Sequence, residues 1–542
     1  MKGDLIKTQK SVKNLFFSGV VVLTVANLLV KAVGLISKIA LNRVVGSIGA
    51  GYYSSAYEIY AYLYVISTAG LPVALSIMVA KSRSKGRLLE AKKTFNLAMI
   101  LFLVIGFVFS VAMIIFSRQL AAFIGASETF LCIISIAPTM LFICLSSCMR
   151  GYFQGYQLMA PTAISQFIEA LCKVGIGVSL ALWAKSRGYS DYIVASYTIL
   201  GVTCGVFLGM IFLYFKKLFF KEENHIIPSV SVTTESKGAK LLLKEMLFIA
   251  IPITLSSSVL SLTTILDTLM VQNRLVKFGM NETTIRIFYG DYTSLVISMF
   301  TLPTILLYPI ANSLVPIITT AHERGNGEYE EKIRSLGVRL VMMLAIPSAM
   351  GMSVFSRPIL DLLMFKPDSV SRAAPWLSIA SSSVLFLGVI SITNSFLNSA
   401  GRQKLPIISM LAGACVKLIS NYFLLAKIGI LGAPISTVLC YLIAASLNLF
   451  FVSKYVGSLP KIGKTFFAPV LCSLVSIAIA GIIYYFLAMI SSKIAIVLAI
   501  GVAIVGYLYL MIRTKVITEN EILMFPKGEK MIIFLKKIKF LS

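Results

Sequence analysis

The chain has 542 residues, of which 58% are hydrophobic and 13% charged, with a mean hydropathy of +0.90; a soluble domain carries roughly 25% charged residues. This composition excludes a soluble enzyme, a disordered chain, and an outer-membrane barrel, whose strands alternate polar and apolar residues over about ten positions. The net charge of +27 does not indicate nucleic acid, because the 49 lysines and arginines fall mostly in short segments between long apolar runs, where they set membrane topology.

Each apolar run is about twenty residues long, enough to cross the hydrocarbon core as a helix. In chain order the spans are expected at 14–46, 52–80, 94–117, 125–149, 159–183, 192–215, 244–273, 289–320, 335–355, 373–398, 405–425, 432–452, 466–489 and 494–512. The expectation is an all-α polytopic membrane protein of about fourteen helices. Lys81, Arg83, Lys85, Arg87, Lys92 and Lys93 crowd one short loop, and most other cations fall on the same side, which places both termini in the cytoplasm. No cleavable signal is evident, because the basic start runs directly into a long span. The eight cysteines all lie in apolar runs and read as core residues. Cys144 and Cys148 have no His or further Cys beside them, so no metal site is expected.

Internal repetition organises the chain. Pro72, Ala74 and Ser76 recur as Pro309, Ala311 and Ser313; Phe116-Ser117-Arg118 as Phe355-Ser356-Arg357; Leu141-Phe142 as Leu385-Phe386; Ile164, Ser165 and Lys173 as Ile408, Ser409 and Lys417; Asn42-Arg43 as Asn273-Arg274. The matches keep their order and nearly constant separation. An even number of spans separates the copies, so both have one orientation and are related by a pseudo-twofold along the membrane normal. The expected domains are an N-terminal six-helix lobe (1–215), a cytoplasmic linker (216–243), a C-terminal six-helix lobe (244–454), two additional helices (455–512) and a basic amphipathic cytoplasmic tail (513–542). Two such lobes suggest alternating access to a central path.

The opening stretch, through Lys31, Gly34, Arg43, Gly46, Gly51, Tyr57, Gly70, Pro72, Ala74, Ser76 and Ser84-Lys85-Gly86, resembles the multidrug/oligosaccharidyl-lipid/polysaccharide exporter superfamily. More narrowly it is similar to the stage V sporulation protein B and lipid II flippase branches. The resemblance implies export of an undecaprenyl-diphosphate-linked cell-wall precursor, lipid II first among them, across the bacterial cytoplasmic membrane. It also implies cationic side chains of the first helix in a central cavity, where Lys31 and Arg43 match. The cations that the flippase branch can carry on helices 2 and 8 have no clear counterpart. A cation-coupled multidrug exporter, or a flippase for another polysaccharide repeat unit, is the alternative. The expected partners are a lipid-linked anionic saccharide and membrane lipids, with no nucleic acid. No cofactor is expected, membrane potential, Na+ or H+ being candidate driving forces, and a monomer is anticipated.

The residues support a polar site independently of the resemblance. Asn27, Lys31, Gly34 and Lys38 are spaced 4, 3 and 4, within about 40° of one line on a helix. An ammonium at mid-bilayer costs about 2.5–3.5 kcal/mol, so Lys31 needs a wet cavity or a partner. Lysine and arginine can both hold phosphate oxygens strongly in such a cavity. Asn27, Lys31 and Arg43 are therefore the candidate headgroup residues; Arg43 also suits an interfacial anchor. Lys38, Glu58 and Asp267 lie at similar depth and are candidates for an outer gate or for ion coupling. Glu169 and Lys173, four apart, suit an intrahelical ion pair, and Lys417 occupies the place equivalent to Lys173 with no matching acid. Gly201, Gly205 and Gly209 form a small-residue ridge for close helix packing. The tyrosines 52, 53, 57, 60, 62 and 64 suit an interfacial aromatic belt, with sugar stacking as the alternative. A membrane-embedded transferase would need paired acids for a metal or a base. No DxxD or DD pair occurs, so no enzyme is expected.

Overall fold

The computed structural model describes the backbone of residues 2–220, 237–323, 327–363, 366–457 and 466–514. Within these ranges it describes side chains from residue 29 onward, except at 31, 32, 35, 36, 38, 84, 252, 256, 259, 260, 262, 309, 312, 313, 316, 317 and 319–323. The described residues are helical and contain no strand. Ten stretches among them are long and apolar enough to cross a bilayer. Several of these run through a break; residues 404–455, for example, hold two helices in succession. The chain is an all-α polytopic membrane protein.

Two compact units divide at 290/291. The N-terminal unit contains α1 (Lys2–Thr68), α2 (Leu71–Ser84), α3 (Leu88–Ile115), α4 (Ser117–Phe123), α5 (Phe130–Gly155), α6 (Ala160–Ser186), α7 (Asp191–Leu218), α8 (Ala239–Lys277) and α9 (Glu282–Asp291), whose last residue falls past the division. The helix assigned by the repeat to the C-terminal lobe, α8, lies in this unit, along α1 and α2. The linker expected at 216–243 is shortened by helix at both ends. Its residues 221–236, and the tail from 515, lie outside the described residues.

Two interruptions separate the early spans. Gly46 has φ 76° and ψ 177° inside α1, a conformation essentially restricted to glycine. Beside it Lys185, in the last turn of α6, donates to the Val44 carbonyl at 2.6 Å. The second interruption is Gly70, which precedes Pro72 in the first turn of α2. Its N–H donates to Thr254 Oγ1 at 3.2 Å, and a Cβ there would collide with the Ala250 backbone of α8.

The C-terminal unit starts with a π-helical turn (Tyr292–Ile297) and contains α10 (Ser298–Phe300), α11 (Thr304–Glu323), α12 (Gly327–Val354), α13 (Ser356–Leu362), α14 (Pro367–Ser381), α15 (Ser383–Ser399), α16 (Lys404–Ile428), α17 (Gly432–Tyr455), α18 (Ala468–Ala488) and α19 (Ser492–Arg513). Repetition is visible in the local structure. The 28-residue α3 breaks at Phe116 and resumes as the seven-residue α4; the 28-residue α12 breaks at Phe355 and resumes as the seven-residue α13. The unrepeated pair α18 and α19 packs on α12, where the Tyr507 hydroxyl donates to the Met343 carbonyl at 3.0 Å.

Five cysteines are buried, among them Cys144 and Cys148, as expected of core residues. Cys415 departs from that expectation, standing on an exposed face of α16.

Candidate functional site

A polar lattice lies inside the N-terminal unit, built from α1, α5 and α6. On α6, Thr162, Ser165, Gln166, Glu169 and Lys173 share an arc of about 100°. Facing them from α5 is Arg150, whose residue is only 7% exposed. Its Nε donates to Ser165 Oγ at 3.0 Å and its terminal nitrogen to Glu169 Oε2 at 2.9 Å; Ser165 Oγ in turn donates to the Thr162 carbonyl at 2.8 Å. The planar guanidinium thus spans two acceptors one helical turn apart, which an ammonium could not match in this geometry.

This arrangement corrects the expected intrahelical pairing of Glu169 with Lys173. Glu169 takes the Arg150 fork instead. Lys173 Nζ sits 4.5 Å from the centre of the Tyr57 ring, with the Tyr53 hydroxyl and Glu169 within electrostatic range. A desolvated cation over an aromatic face gains about 2 kcal/mol, so the tyrosines offer Lys173 a partner that sequence spacing does not reveal.

The tyrosines themselves form a ladder rather than an interfacial belt. Tyr53 and Tyr57 stack at 5.9 Å, Tyr57 meets Tyr60 at 5.8 Å, and Tyr60 stacks on Tyr64 at 6.1 Å. Spacings of 4, 3 and 4 keep the four on one face of α1, and Tyr53 and Tyr60 are buried. The ladder runs from Lys173 at one end to Tyr64, whose hydroxyl feels both Arg150 and Glu169, at the other.

Behind this face the α7 glycine ridge acts as a backing, as expected. A Cβ on Gly205 would lie 2.6 Å from the Glu169 carbonyl oxygen, and Gly201 and Gly209 approach the backbone of α6 at Gly177 and Ser165. The ridge lets α7 lie close against α6 along the stripe of Ser165, Glu169 and Lys173, fixing their helix in position.

A second polar cluster joins α1, α8 and α9. The Tyr289 hydroxyl donates to Thr268 Oγ1 at 2.8 Å, with Glu58 and Asp267 both in electrostatic range. Asp267 is 3% exposed. One turn away Gln272 Nε2 donates to Ser55 Oγ at 2.8 Å. The structure therefore brings two of the gate candidates, Glu58 and Asp267, to one phenol. The third, Lys38, falls with Asn27 and Lys31 outside the described side chains. Arg43 is exposed and engaged in an electrostatic or polar contact.

Sequence reasoning missed two buried arginines of the N-terminal unit because it placed them in loops. The fourth span was expected to end at 149, whereas α5 continues to Gly155 with Arg150 inside. The eighth span was expected to begin at 289, whereas α9 begins at Glu282 and carries Arg286, 4% exposed. Its guanidinium lies 4.5 Å from the centre of the Tyr52 ring and 3.0 Å from Glu282, and the Tyr52 hydroxyl donates to Glu128. The paired signal for Arg150 was its Ser165 and Glu169 acceptors, one turn apart on the next helix.

In the C-terminal unit Lys417 is 2% exposed and has a polar or electrostatic partner. Asn421, one turn on, accepts a hydrogen bond from Ser436 of α17. An ion pair missed by sequence, partly exposed Arg372 with buried Asp291, meets at 2.7 Å. Among the described residues no group of three His, Cys, Asp or Glu is placed to hold a metal.

The comparisons with known proteins agree with this architecture. Residues 16–322 match the family model of polysaccharide biosynthesis proteins, and residues 292–423 match the MatE model. Stage V sporulation protein B of Bacillus subtilis (strain 168) is 25% identical over 481 residues, covering 86% of this chain and 90% of that protein. The lipid II flippase MurJ of the same organism is 23% identical over 516 residues, covering 91% and 94%. A solved structure of lipid II flippase MurJ, in an inward closed conformation, superposes with a TM-score of 0.69 at 16% identity over 90% of this chain and 98% of that one. The chain belongs to the polysaccharide biosynthesis protein family, within the multidrug/oligosaccharidyl-lipid/polysaccharide exporter superfamily and its branch similar to stage V sporulation protein B and MurJ. It is a multi-pass membrane protein of that superfamily.

Proposed function

We propose that the protein is an alternating-access flippase for an undecaprenyl-diphosphate-linked cell-wall precursor, with lipid II as the first candidate cargo, moving it from the inner to the outer leaflet of a bacterial cytoplasmic membrane. The observation that carries this reading is the lattice of Arg150, Glu169, Lys173 and the tyrosine ladder. Such a set of cations beside aromatic rings in a membrane-spanning unit suits an anionic saccharide better than an apolar drug. The relative named as a lipid II flippase, matched over 91% of this chain, supports the same reading. In this account Asn27, Lys31 and Arg43 contact the headgroup, both termini are cytoplasmic, and two repeat-related lobes rock about an axis along the membrane normal.

Glu58 and Asp267 belong to the outer closure, where Lys38 would complete an ion pair. In a partly wet vestibule such a pair contributes about 1 kcal/mol, enough to bias a two-state equilibrium without locking it. Cargo must bind with moderate strength in order to leave, and the driving force is assigned to membrane potential, Na+ or H+.

The test is reconstitution of this protein alone into vesicles holding fluorescent lipid II in the inner leaflet, with the arrival of label outside read by an impermeant quencher. Protein-dependent transfer, lost on Lys31→Ala in a folded protein, is the expected result. No transfer of lipid II, together with export of cationic drugs, would replace the reading with that of a multidrug exporter.

A further inference from the structure

The Arg150 fork is held by Glu169 while the neighbouring cation, Lys173, lies on the same helix face one turn further along. A carboxylate at position i can reach a lysine at i+4 on a helix surface, and Glu169 and Lys173 already sit within electrostatic range. Glu169 therefore has two cationic partners within reach and occupies one. We propose that Glu169 is a two-position counter-ion: it rests on Arg150 when the site is empty and moves to Lys173 when a phosphate group of the cargo takes the Arg150 fork. This deepens the flippase reading and rests on it for the identity of the cargo.

Three features point to an anionic sugar conjugate as the occupant. The guanidinium, held through its Nε by Ser165, presents its terminal nitrogen to one carboxylate, the group that a phosphate oxygen replaces most directly. Glu169 is 24% exposed although Arg150 is buried, so the carboxylate is the accessible member of the pair. The carbonyl oxygen of Gln166, one turn before Glu169, is buried with no hydrogen-bond donor, an arrangement that costs free energy unless a donor arrives. A sugar hydroxyl supplies that donor.

The arithmetic of charge favours exchange over simple addition. Arg150, Glu169 and Lys173 together carry one net positive charge. An arriving phosphate meets a cationic site, and Glu169, once displaced, finds a partner without moving into hydrocarbon as a lone ion. Lys173 is thus a positioning residue for Glu169, and Arg150 the group that touches the ligand.

The experiment uses the full chain in phosphatidylcholine nanodiscs and measures equilibrium binding of three probes: geranylgeranyl diphosphate, its N-acetylglucosaminyl conjugate, and inorganic pyrophosphate. Phosphatidylglycerol is added in a competing arm to detect occupation by a phospholipid headgroup. Glu169→Gln should bind the conjugate about tenfold more tightly than wild type, within the usual range of coupling between competing ligands. Lys173→Gln should bind it several-fold more weakly, and the double variant should return to the affinity of Glu169→Gln, because a neutral residue 169 needs no second partner. Gln166→Leu should weaken the conjugate and leave the sugarless diphosphate unchanged.

A purely structural ion pair predicts the opposite pattern: a lowered melting temperature for Glu169→Gln, no gain in affinity, and additive effects in the double variant. That outcome overturns the proposal, as does phosphatidylglycerol displacing the conjugate at equal concentration. Because none of these tests requires removal of Arg150, they survive a failure of Arg150 variants to fold. If wild type transfers lipid II while the three variants behave like it, the counter-ion role falls and the flippase reading stands. If the affinity pattern appears but lipid II is not transferred, the cargo assignment falls and the phosphate site stands.

Discussion

The two units place related residues in one frame and use them differently. In the N-terminal unit Arg150, Ser165, Glu169 and Lys173 form a charged lattice. At the separation that relates Ser165 to Ser409 and Lys173 to Lys417, the C-terminal unit has Asn394, Ser409, Gly413 and Lys417. The guanidinium becomes a neutral amide, whose oxygen accepts from Asn448 Nδ2 at 2.7 Å. The carboxylate becomes glycine, and α17 moves into the vacated space: a Cβ on Gly413 would lie 2.6 Å from the Cys440 carbonyl oxygen. Close packing is thus served by a glycine of α7 in one unit and by a glycine of α16 in the other. The comparison teaches that the repeat conserves the backbone plan while chemistry is concentrated in one copy.

The largest effect expected from this contrast is on stability. Arg150→Leu leaves Glu169, a partly exposed acid, without its guanidinium and should cost about 2–3 kcal/mol, whereas Arg150→Leu combined with Glu169→Leu should recover most of that loss. Asn394→Leu in the C-terminal unit should cost only about 1–2 kcal/mol, the scale of a neutral buried hydrogen bond. Thermal unfolding in detergent measures all three; equal losses at Arg150 and Asn394 would break the contrast.

Packing sharpens it next. Gly205→Val and Gly413→Val should each cost about 1–3 kcal/mol through overpacking, because the obstructing atoms are backbone carbonyls of Glu169 and Cys440. Gly205→Val should also alter binding at the lattice, since it pushes α6 where Glu169 is carried. Gly413→Val should not. Melting temperatures together with probe affinity separate the two.

The smallest effect concerns the helix break. Lys185→Ala removes the ammonium that caps the Val44 carbonyl beside Gly46, and should lower stability by about 0.3–1 kcal/mol. Gly46→Ala, which forces a side chain into a glycine conformation, should cost more, about 1–3 kcal/mol. A reversed order would show that the break at Gly46 is held by something other than its backbone conformation.

Much of the architecture was legible in the sequence because hydrophobic length and repetition are strong signals. The Phe116 and Phe355 repeats, for instance, mark the same helix break in both units. Depth within a span also singled out Glu169, Lys173 and Asp267. The partners were not legible, for two physical reasons. Spacing reveals only neighbours on the same helix, so Glu169 was matched with Lys173 and not with a fork arriving from α5. A charged residue at the edge of an apolar run resembles a loop residue, so Arg150 and Arg286 were set outside helices that in fact continue past them. The tyrosines were read by composition as a belt, and their 4, 3, 4 spacing carried the better information.

The central claim is that cargo chemistry resides in the lattice of the N-terminal unit and not in its repeat counterpart. It is tested most directly by transfer of fluorescent lipid II in vesicles containing either Lys173→Gln or Lys417→Gln, each first shown to be folded and inserted. The account predicts that Lys173→Gln slows transfer by about tenfold or more while Lys417→Gln retains most of the wild-type rate. Equal loss in both variants, or loss confined to Lys417→Gln, would contradict it.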